Sequence, residues 1–316
     1  MPHCQHNEAI FVFMSTNIHL HTVEELFKFF GLNQPVHHPL VAIIDFGLVR
    51  EADIGNTKIS TDFYTLIYKT YNRNHVKYGR KLVDFTNGSL ICLAPNQVLE
   101  MDDDTEGSSQ PLGWGLGFHP DLIRGTPLGD KMKSYSFFSY EVSESLHLSE
   151  KEKQILADCV QKIEAELHEN IDVHSQSILV SGIEMLLNYC SRFYGRQFIT
   201  RKTSNNAVIV QVEKLLNEYF GLGDLSERGL PTVRYLAEQA NLSPNYLSDL
   251  LKKETGKNAQ DHIHYHLIEE AKNILLSSSR SVGEIAYGLG FEYPQYFNKL
   301  FKQKTGKTPV AFRNMN

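Results

Sequence analysis

The sequence has few of the features that mark an extracellular, membrane-bound or cofactor-dependent protein. It has four cysteines, Cys4, Cys92, Cys159 and Cys190. No two form a C-x-x-C pair, and their spacing suggests neither a disulfide framework nor a zinc site, so reduced, buried thiols are expected. No apolar run approaches the roughly 18 residues that a membrane helix needs. The apolar stretch Ile10–Met14 is short and follows His3, His6 and Glu8 rather than a basic region, which argues against a secretory leader. A cytoplasmic protein with no membrane partner is therefore expected. There is no phosphate-cradling glycine loop and no Ser-His-Asp spacing of note, so neither a catalytic residue nor a cofactor is expected.

An excess of positive charge is missing too. The net charge is −6 over 316 residues, which at first sight argues against a nucleic-acid binder. The acid is unevenly spread, however. Residues 206–316 hold 13 Lys and Arg against 12 Asp and Glu, so the acidic excess lies entirely upstream. Global charge is then a poor guide to local binding.

The length suits roughly two domains. Thr22-Val-Glu-Glu25 reads as a capping box, followed by Val23, Leu26, Phe27 and Phe30 at helical spacing and ended by Gly31. From Leu40 to Tyr140 the texture is that of short strands. Leu40–Val49, Phe63–Tyr68, Leu82–Phe85, Leu90–Ala94 and Trp114–Phe118 are separated by turn-formers at Gly55-Asn56, Asn87-Gly88, Pro95-Asn96 and Gly107–Ser109. This pattern predicts a sandwich or small barrel. Met101–Asp104 reads as a solvated acidic turn. After Ser149, itself in a capping box with Glu152, the pattern becomes helical. Leu156, Val160, Ile163 and Leu167 form one stripe, and Leu179, Ile183, Leu186, Leu187, Cys190 and Phe193 form another within Val173–Tyr194. The polar stretch Arg201–Asn206 reads as a linker.

The last hundred residues contain a repeat. Residues 244–257 (PNYLSDLLKKETGK) precede residues 294–307 (PQYFNKLFKQKTGK) by 50 positions, and seven of the 14 aligned residues are identical. Each copy follows a short helical stripe: Val233, Leu236, Ala237 and Ala240 before the first, Val282, Ile285, Ala286 and Leu289 before the second. Asn241 and Gly290 then occupy a turn where positive φ is expected. Helix, sharp turn and second helix is an arrangement that places a helix in a DNA major groove. Tyr246, Leu247, Leu250 and Leu251 are expected to point inward, as are Tyr296, Phe297, Leu300 and Phe301. Asn245, Ser248, Asp249 and Lys252 fall on the opposite stripe, as do Gln295, Asn298, Lys299 and Lys302. Asn and Gln suit adenine and Lys suits guanine, while Asp249 either accepts from cytosine or repels non-specific DNA. Residues 293–307 carry four lysines and no acid, and Lys304 adds a phosphate contact. Ala259–Leu276 predicts a connecting helical rod.

The residues Leu236-Ala, Leu242-Ser-Pro-Asn-Tyr-Leu, Lys-Lys-Glu-Thr-Gly256, Ile285-Ala, Gly-Phe291 and Thr-Gly-Lys-Thr-Pro309 closely resemble the AraC/XylS regulators. The resemblance covers roughly Ala207 to Arg313. It implies a seven-helix domain with two helix-turn-helix units facing adjacent major grooves of double-stranded DNA. By position in the pattern, Asn245, Ser248, Asp249, Gln295, Asn298 and Lys299 match the base-facing places. His266 stands where such proteins usually carry Arg, which puts that residue's ion pair in question. Upstream, Gly88-Ser-Leu-Ile-Cys-Leu-Ala-Pro95 resembles the glycine-strand-proline signature of a cupin-like barrel. The implied whole is an α+β chain. Residues 1–200 form a cupin-like sensor and dimerisation domain whose helical part is about 149–195, and residues 207–316 form the all-α DNA-binding domain. A homodimer is expected. A small-molecule effector in the barrel and a contact with RNA polymerase stay open. The rivals are a cupin-type metal enzyme fused to a DNA-binding tail and a ligand-free dimeric regulator.

Several histidines invite a metal reading. His262 and His266, one turn apart, offer a pair with Glu269 or Glu270; the plainer reading is packing and surface positions on the rod. His19-Leu-His21 followed by Glu24 is similar to the metal motif of enzymatic cupins, but it precedes the strand region and lacks the neighbouring glycine. His37-His38 and His119 are scattered. No metal site is expected. Trp114, the single tryptophan, reads as a core residue, with an effector pocket as the alternative.

Overall fold

A computed structural model of the chain describes residues 16–49, 57–69, 76–78, 81–83, 88–101, 112–200, 202–221 and 225–314. It divides into two compact units, Met1–Phe193 and Tyr194–Asn316.

The first unit holds ten described strands: β1 (Thr16–Leu20), β2 (Val41–Asp45), β3 (Thr57–Thr61), β4 (Tyr64–Lys69), β5 (Val76–Tyr78), β6 (Lys81–Val83), β7 (Ser89–Leu93), β8 (Leu99–Met101), β9 (Gly113–Phe118) and β10 (Leu146–His147). They form two sheets, ordered β1-β3-β8-β5-β6 and β10-β7-β4-β9-β2. β1 and β3 run parallel, with His19 opposite Ser60. Among the described strands neither sheet closes on itself, so a cupin-like barrel is not shown, and the strands stand as two open sheets. Leu20, Ile59 and Leu99 of the first sheet share one core with Ile44, Ile67, Ile91 and Leu93 of the second. The helix α1 (Val23–Phe29) adds Val23, Leu26 and Phe27 to it. Thr22 caps α1 as expected, but the Glu25 carboxylate accepts from the His21 amide instead of completing the box.

All five residues of β7 are buried, which suits its unbroken Leu-Ile-Cys-Leu run. Within the stretch expected as strands, Leu40 to Tyr140, the last strand ends at Phe118. Residues 120–140 fold as α2 (Pro120–Ile123), α3 (Pro127–Lys131) and short 3-10 turns. Pro120 and Pro127 begin their helices, behind the caps His119 and Thr126, where a missing N–H costs nothing. Phe138, from one of these turns, packs 5.0 Å from the Tyr64 ring. Asn96 takes a left-handed turn conformation (φ 66°) at the expected Pro95-Asn96 turn. The turns expected at Gly55-Asn56 and Gly107–Ser109, together with Asn87 and Asp102–Asp104, lie outside the described residues.

α4 (Glu150–Leu167) carries the full Ser149–Glu152 capping box. α5 (Ser175–Thr200) runs further than expected, and the boundary between the units falls within it. Arg201 lies outside the described residues. Residues 202–206, expected as linker, instead open α6 (Lys202–Gly221). Asn205 is buried there; its amide donates to the Phe198 carbonyl and, at 2.9 Å, to Glu254, which binds this polar stretch into the second unit.

The second unit continues through α7 (Leu225–Arg228), α8 (Val233–Gln239), α9 (Pro244–Thr255), α10 (Ala259–Ser277), α11 (Val282–Gly288), α12 (Pro294–Thr305) and α13 (Pro309–Arg313). α10 packs on α6, α8, α9, α11 and α13, so the expected rod is the hub of this unit. Its buried face is Ile263, Leu267, Ile268, Ala271 and Leu275.

Both helix pairs turn by the same device. Asn241 (φ 55°) and Gly290 (φ 82°) are left-handed, as expected. Leu242 N–H donates to Ala237 O at 2.9 Å, and Phe291 N–H to Ala286 O at 3.0 Å. Asn241 N–H donates to Glu238 O, and Gly290 N–H to Tyr287 O. These bonds satisfy carbonyls that a helix end leaves open. Gly290 is the tighter of the two, because an added Cβ would stand 2.7 Å from the Leu225 carbonyl oxygen. Gly290→Ala is expected to cost about 1–3 kcal/mol from the left-handed backbone strain, with the clash adding to it. Asn241→Gly is expected to change stability by only a few tenths. Denaturation followed by far-UV circular dichroism checks both; equal effects would contradict the assignment.

Candidate nucleic-acid interface

The structure separates two kinds of position in the repeat. The repeated Thr-Gly-Lys ends do structural work. Gly256 (φ 76°) and Gly306 (φ 77°) cap α9 and α12 in the left-handed conformation. The Thr255 hydroxyl donates to Leu251 O at 2.7 Å and accepts from Lys257 N–H; Thr305 does the same with Phe301 O and Lys307 N–H. Pro244 and Pro294 begin the helices. The following caps, Asn258 and Thr308, start α10 and α13 alike.

Three of the positions that differ between the copies, 245/295, 248/298 and 249/299, lie on the outer side with the shared Lys252/Lys302, whereas the differing pairs Leu247/Phe297 and Leu251/Phe301 are buried. Asn245 and Lys252 are exposed on α9, with Ser248 and Asp249 half-buried beside them. Gln295, Asn298, Lys299 and Lys302 are all exposed on α12. Behind them, Tyr246, Leu247, Leu250 and Leu251 are buried, as are Phe297 and Phe301.

One expectation needs correction. Tyr296, expected inward by analogy with Tyr246, is 60% exposed. Tyr246 is covered by Phe198, whose ring lies 4.9 Å away. Tyr296 instead meets exposed Tyr293 edge-on. The repeat unit is the same, but only the first copy meets the end of α5. Lys304 is exposed, yet its ammonium donates to Asp261 on α10 at 2.7 Å. That contact holds the Asp261 carboxyl below its ordinary range. Much of the Lys304 charge is thus already matched within the protein. In the first copy Glu254 bonds Asn205, which draws one acid of that helix into an internal contact.

A carboxylate that sequence reasoning missed joins α6 to α10. Glu213 accepts from His262 Nδ1 at 2.8 Å and from His266 Nε2 at 2.9 Å. His262 is buried, and its Nε2 lies 2.9 Å from the Thr255 hydroxyl. His266 therefore does hold an ion-pair position, and it also stacks on Phe220. Glu269 pairs with Lys272 instead of these histidines. In the first unit, His19 and His21 meet Asp62 and not Glu24. The i, i+4 histidines signalled a shared partner, but nothing local pointed to Glu213 or Asp62. Trp114 is half-buried against Tyr68. It is the alternating Gly115 and Gly117 that reach the cavity of the sandwich.

A family model described as a helix-turn-helix domain matches residues 236–315. The uncharacterized HTH-type transcriptional regulator YobQ of Bacillus subtilis (strain 168) is 35% identical over 83 residues, 26% of this chain and 34% of that protein. The bifunctional transcriptional activator/DNA repair enzyme AdaA of the same strain is 34% identical over 85 residues, 27% of this chain and 40% of that protein. The xylose operon regulatory protein of Escherichia coli (strain K12) is 30% identical over 84 residues, 27% of this chain and 21% of that protein. Among solved structures, the C-terminal domain of the two-component response regulator yesN from Fusobacterium nucleatum is 32% identical, with a TM-score of 0.27, over 32% of this chain and 95% of that one. The chain thus spans well under half the length of these curated relatives, and only the DNA-binding part of AdaA is matched. Residues 236–315 form an AraC-type helix-turn-helix domain, the DNA-binding domain of the AraC/XylS regulators. No described helix is long and apolar enough to cross a membrane.

The Glu213 contact has a pH signature. Burial pushes its carboxyl up, but the hydrogen bonds from His266 and His262 outweigh this and hold it below the ordinary glutamate value. Stability from a lowered carboxyl is fully present above the unfolded value of about 4.5 and is lost as pH falls through the folded one. Glu213→Gln should therefore lower stability at pH 6 and flatten its decline between about pH 5 and 3. Denaturant midpoints measured across that range check this; parallel curves for both proteins would contradict it.

Proposed function

We propose that the chain is a sequence-specific transcription regulator that binds double-stranded DNA through α9 and α12. One observation carries this reading. Two copies of one helical scaffold each present a polar stripe to solvent, and three of the four aligned stripe positions, 245/295, 248/298 and 249/299, differ between the copies while Lys252 and Lys302 match. Asn245, Ser248, Asp249, Gln295, Asn298 and Lys299 are assigned to base edges. Lys252, Lys302 and, with its charge partly matched by Asp261, Lys304 are assigned to phosphates. Asn and Gln fit adenine, and Lys fits guanine.

The first unit is assigned to dimerisation, through the helical region 149–194. The exposed Ile178 and Met185 on one side of α5 support this. The ligand-free version of the regulator is favoured over an effector-filled one. The cavity between the sheets is about 60 Å³, lined by Leu20, Ile44, Ile59, Ile67 and Leu99 among others. That is room for about two waters, against the roughly 300–1,000 Å³ of organic-ligand sites.

Lys299→Ala should cost about 1–3 kcal/mol on the preferred site and relax base choice at one position. Lys302→Ala should weaken preferred and random DNA alike and reduce the slope of log affinity against log salt by about 1. Fluorescence-anisotropy titrations of the full chain at several salt concentrations measure both. Equal losses on both DNAs from the two changes would overturn the assignment.

A further inference from the structure

Outside the helix-turn-helix region, three side chains far apart in sequence converge on one point of the first unit. His19 and His21 follow Leu20 alternation on β1 and just past its end. Leu20 is buried in the sandwich core, so both imidazoles lie on the other side of the strand. Asp62 sits at the β3–β4 corner, where its N–H donates to Leu20 O at 3.2 Å. His19 Nε2 lies 2.8 Å from Asp62 Oδ1, and His21 Nδ1 lies 2.8 Å from Asp62 Oδ2. One donor atom from each of the three lies within 4.8 Å of the others.

We propose that His19, His21 and Asp62 bind a divalent transition-metal ion of the zinc class. Two imidazoles and one carboxylate are a borderline donor set that suits zinc and its neighbours better than calcium or magnesium. Metal–ligand bonds of about 2.0–2.2 Å put neighbouring donors of a tetrahedral ion somewhat over 3 Å apart. The two histidine–aspartate contacts need to open by about half an ångström, and the three donors, which lie within 4.8 Å of one another, need to converge on one ion, both of which side-chain rotation supplies. The second nitrogen of His19 is already held. Its Nδ1 lies 2.7 Å from the Ser60 hydroxyl, which fixes the ring with Nε2 aimed at the cluster. Metal-bound histidines usually have such a partner on the other nitrogen. The backbone is fixed as well, because His19 and Ser60 are opposite one another in the β1–β3 ladder. His19 and Asp62 are about one-third exposed and His21 more so, which leaves an entry path and room for a water as fourth ligand. The Glu25 carboxylate is occupied by the His21 amide and adds negative charge nearby without joining the donor set.

This site is separate from the cavity between the sheets, whose lining includes Leu20 but neither histidine nor Asp62. A bound ion would tie the end of β1 to the β3–β4 corner, two segments that also wall that cavity. The proposal does not depend on the DNA-binding reading.

The test is calorimetric titration of Zn²⁺ into metal-free full-length protein, with Co²⁺ absorption spectra alongside. Wild type should bind one equivalent that is lost, or weakened at least tenfold, in His19→Ala, His21→Ala and Asp62→Asn. Ser60→Ala should weaken it about tenfold while keeping all three donors. Zn²⁺ should raise the thermal midpoint of wild type and not of Asp62→Asn. Circular dichroism of the metal-free variants shows that each is folded, and Ser60→Ala and Asp62→Asn keep the test available if a histidine variant is not. Identical Zn²⁺ isotherms for wild type, His21→Ala and Asp62→Asn would overturn the proposal, because binding would then belong to other histidines of the chain.

Discussion

The DNA-binding region depends on one local constraint: a left-handed residue directly after a short helix, at Asn241 and again at Gly290. It lets the chain reverse within a few residues while the next amide reaches back to the carbonyl of Ala237 or Ala286. Those small alanines are fully buried, so the following helix packs close to the preceding one. With that geometry fixed, the apolar side of α9 or α12 packs inward and its polar side is left at the surface. The stripes are thus a consequence of the turn. α10 then holds both pairs, since it packs against α8 and α9 on one side of the repeat and α11 on the other.

The duplicated unit explains why identity and function part company along the repeat. Proline at the helix start, threonine folded back on its own helix and glycine in the left-handed cap solve a folding problem common to both copies. Asn245, Ser248 and Asp249 against Gln295, Asn298 and Lys299 have no such problem to solve and are free to differ. Tyr246 and Tyr296 show the limit of the repeat. The same residue at the same place is buried in one copy and 60% exposed in the other, because Phe198 has no counterpart over α12.

What was legible in the sequence was local. Capping residues, positive-φ turns and apolar periodicity located α4, α8, α9, α11 and α12, and short apolar runs located β2, β4, β7 and β9. What was not legible depends on distant partners. β1 is polar at three of its five positions and is a strand because it pairs with β3. Residues 202–206 look like a linker, but Asn205 is buried and bonds to Phe198 and Glu254. Residues 120–140 are rich in aromatics, like a strand, yet two prolines set them as short helices. Closure of a sheet leaves no local mark, and a closed barrel is not shown among the described strands. Glu213, Asp62 and the Asp261 partner of Lys304 likewise come from other elements, so the composition of a stripe revealed its charge but not how much of that charge was already matched.

The central claim is that Asn245, Ser248, Asp249, Gln295, Asn298 and Lys299 specify sequence while the shared proline, threonine and glycine of each copy build the scaffold. Grafting the first stripe onto the second, as Gln295→Asn, Asn298→Ser and Lys299→Asp in one protein, tests it most directly, with bound fragments selected from a random pool of duplex DNA. The account predicts a folded protein that keeps the first half-site and selects a new second one. Selection of the same site by the grafted and the original protein would contradict it.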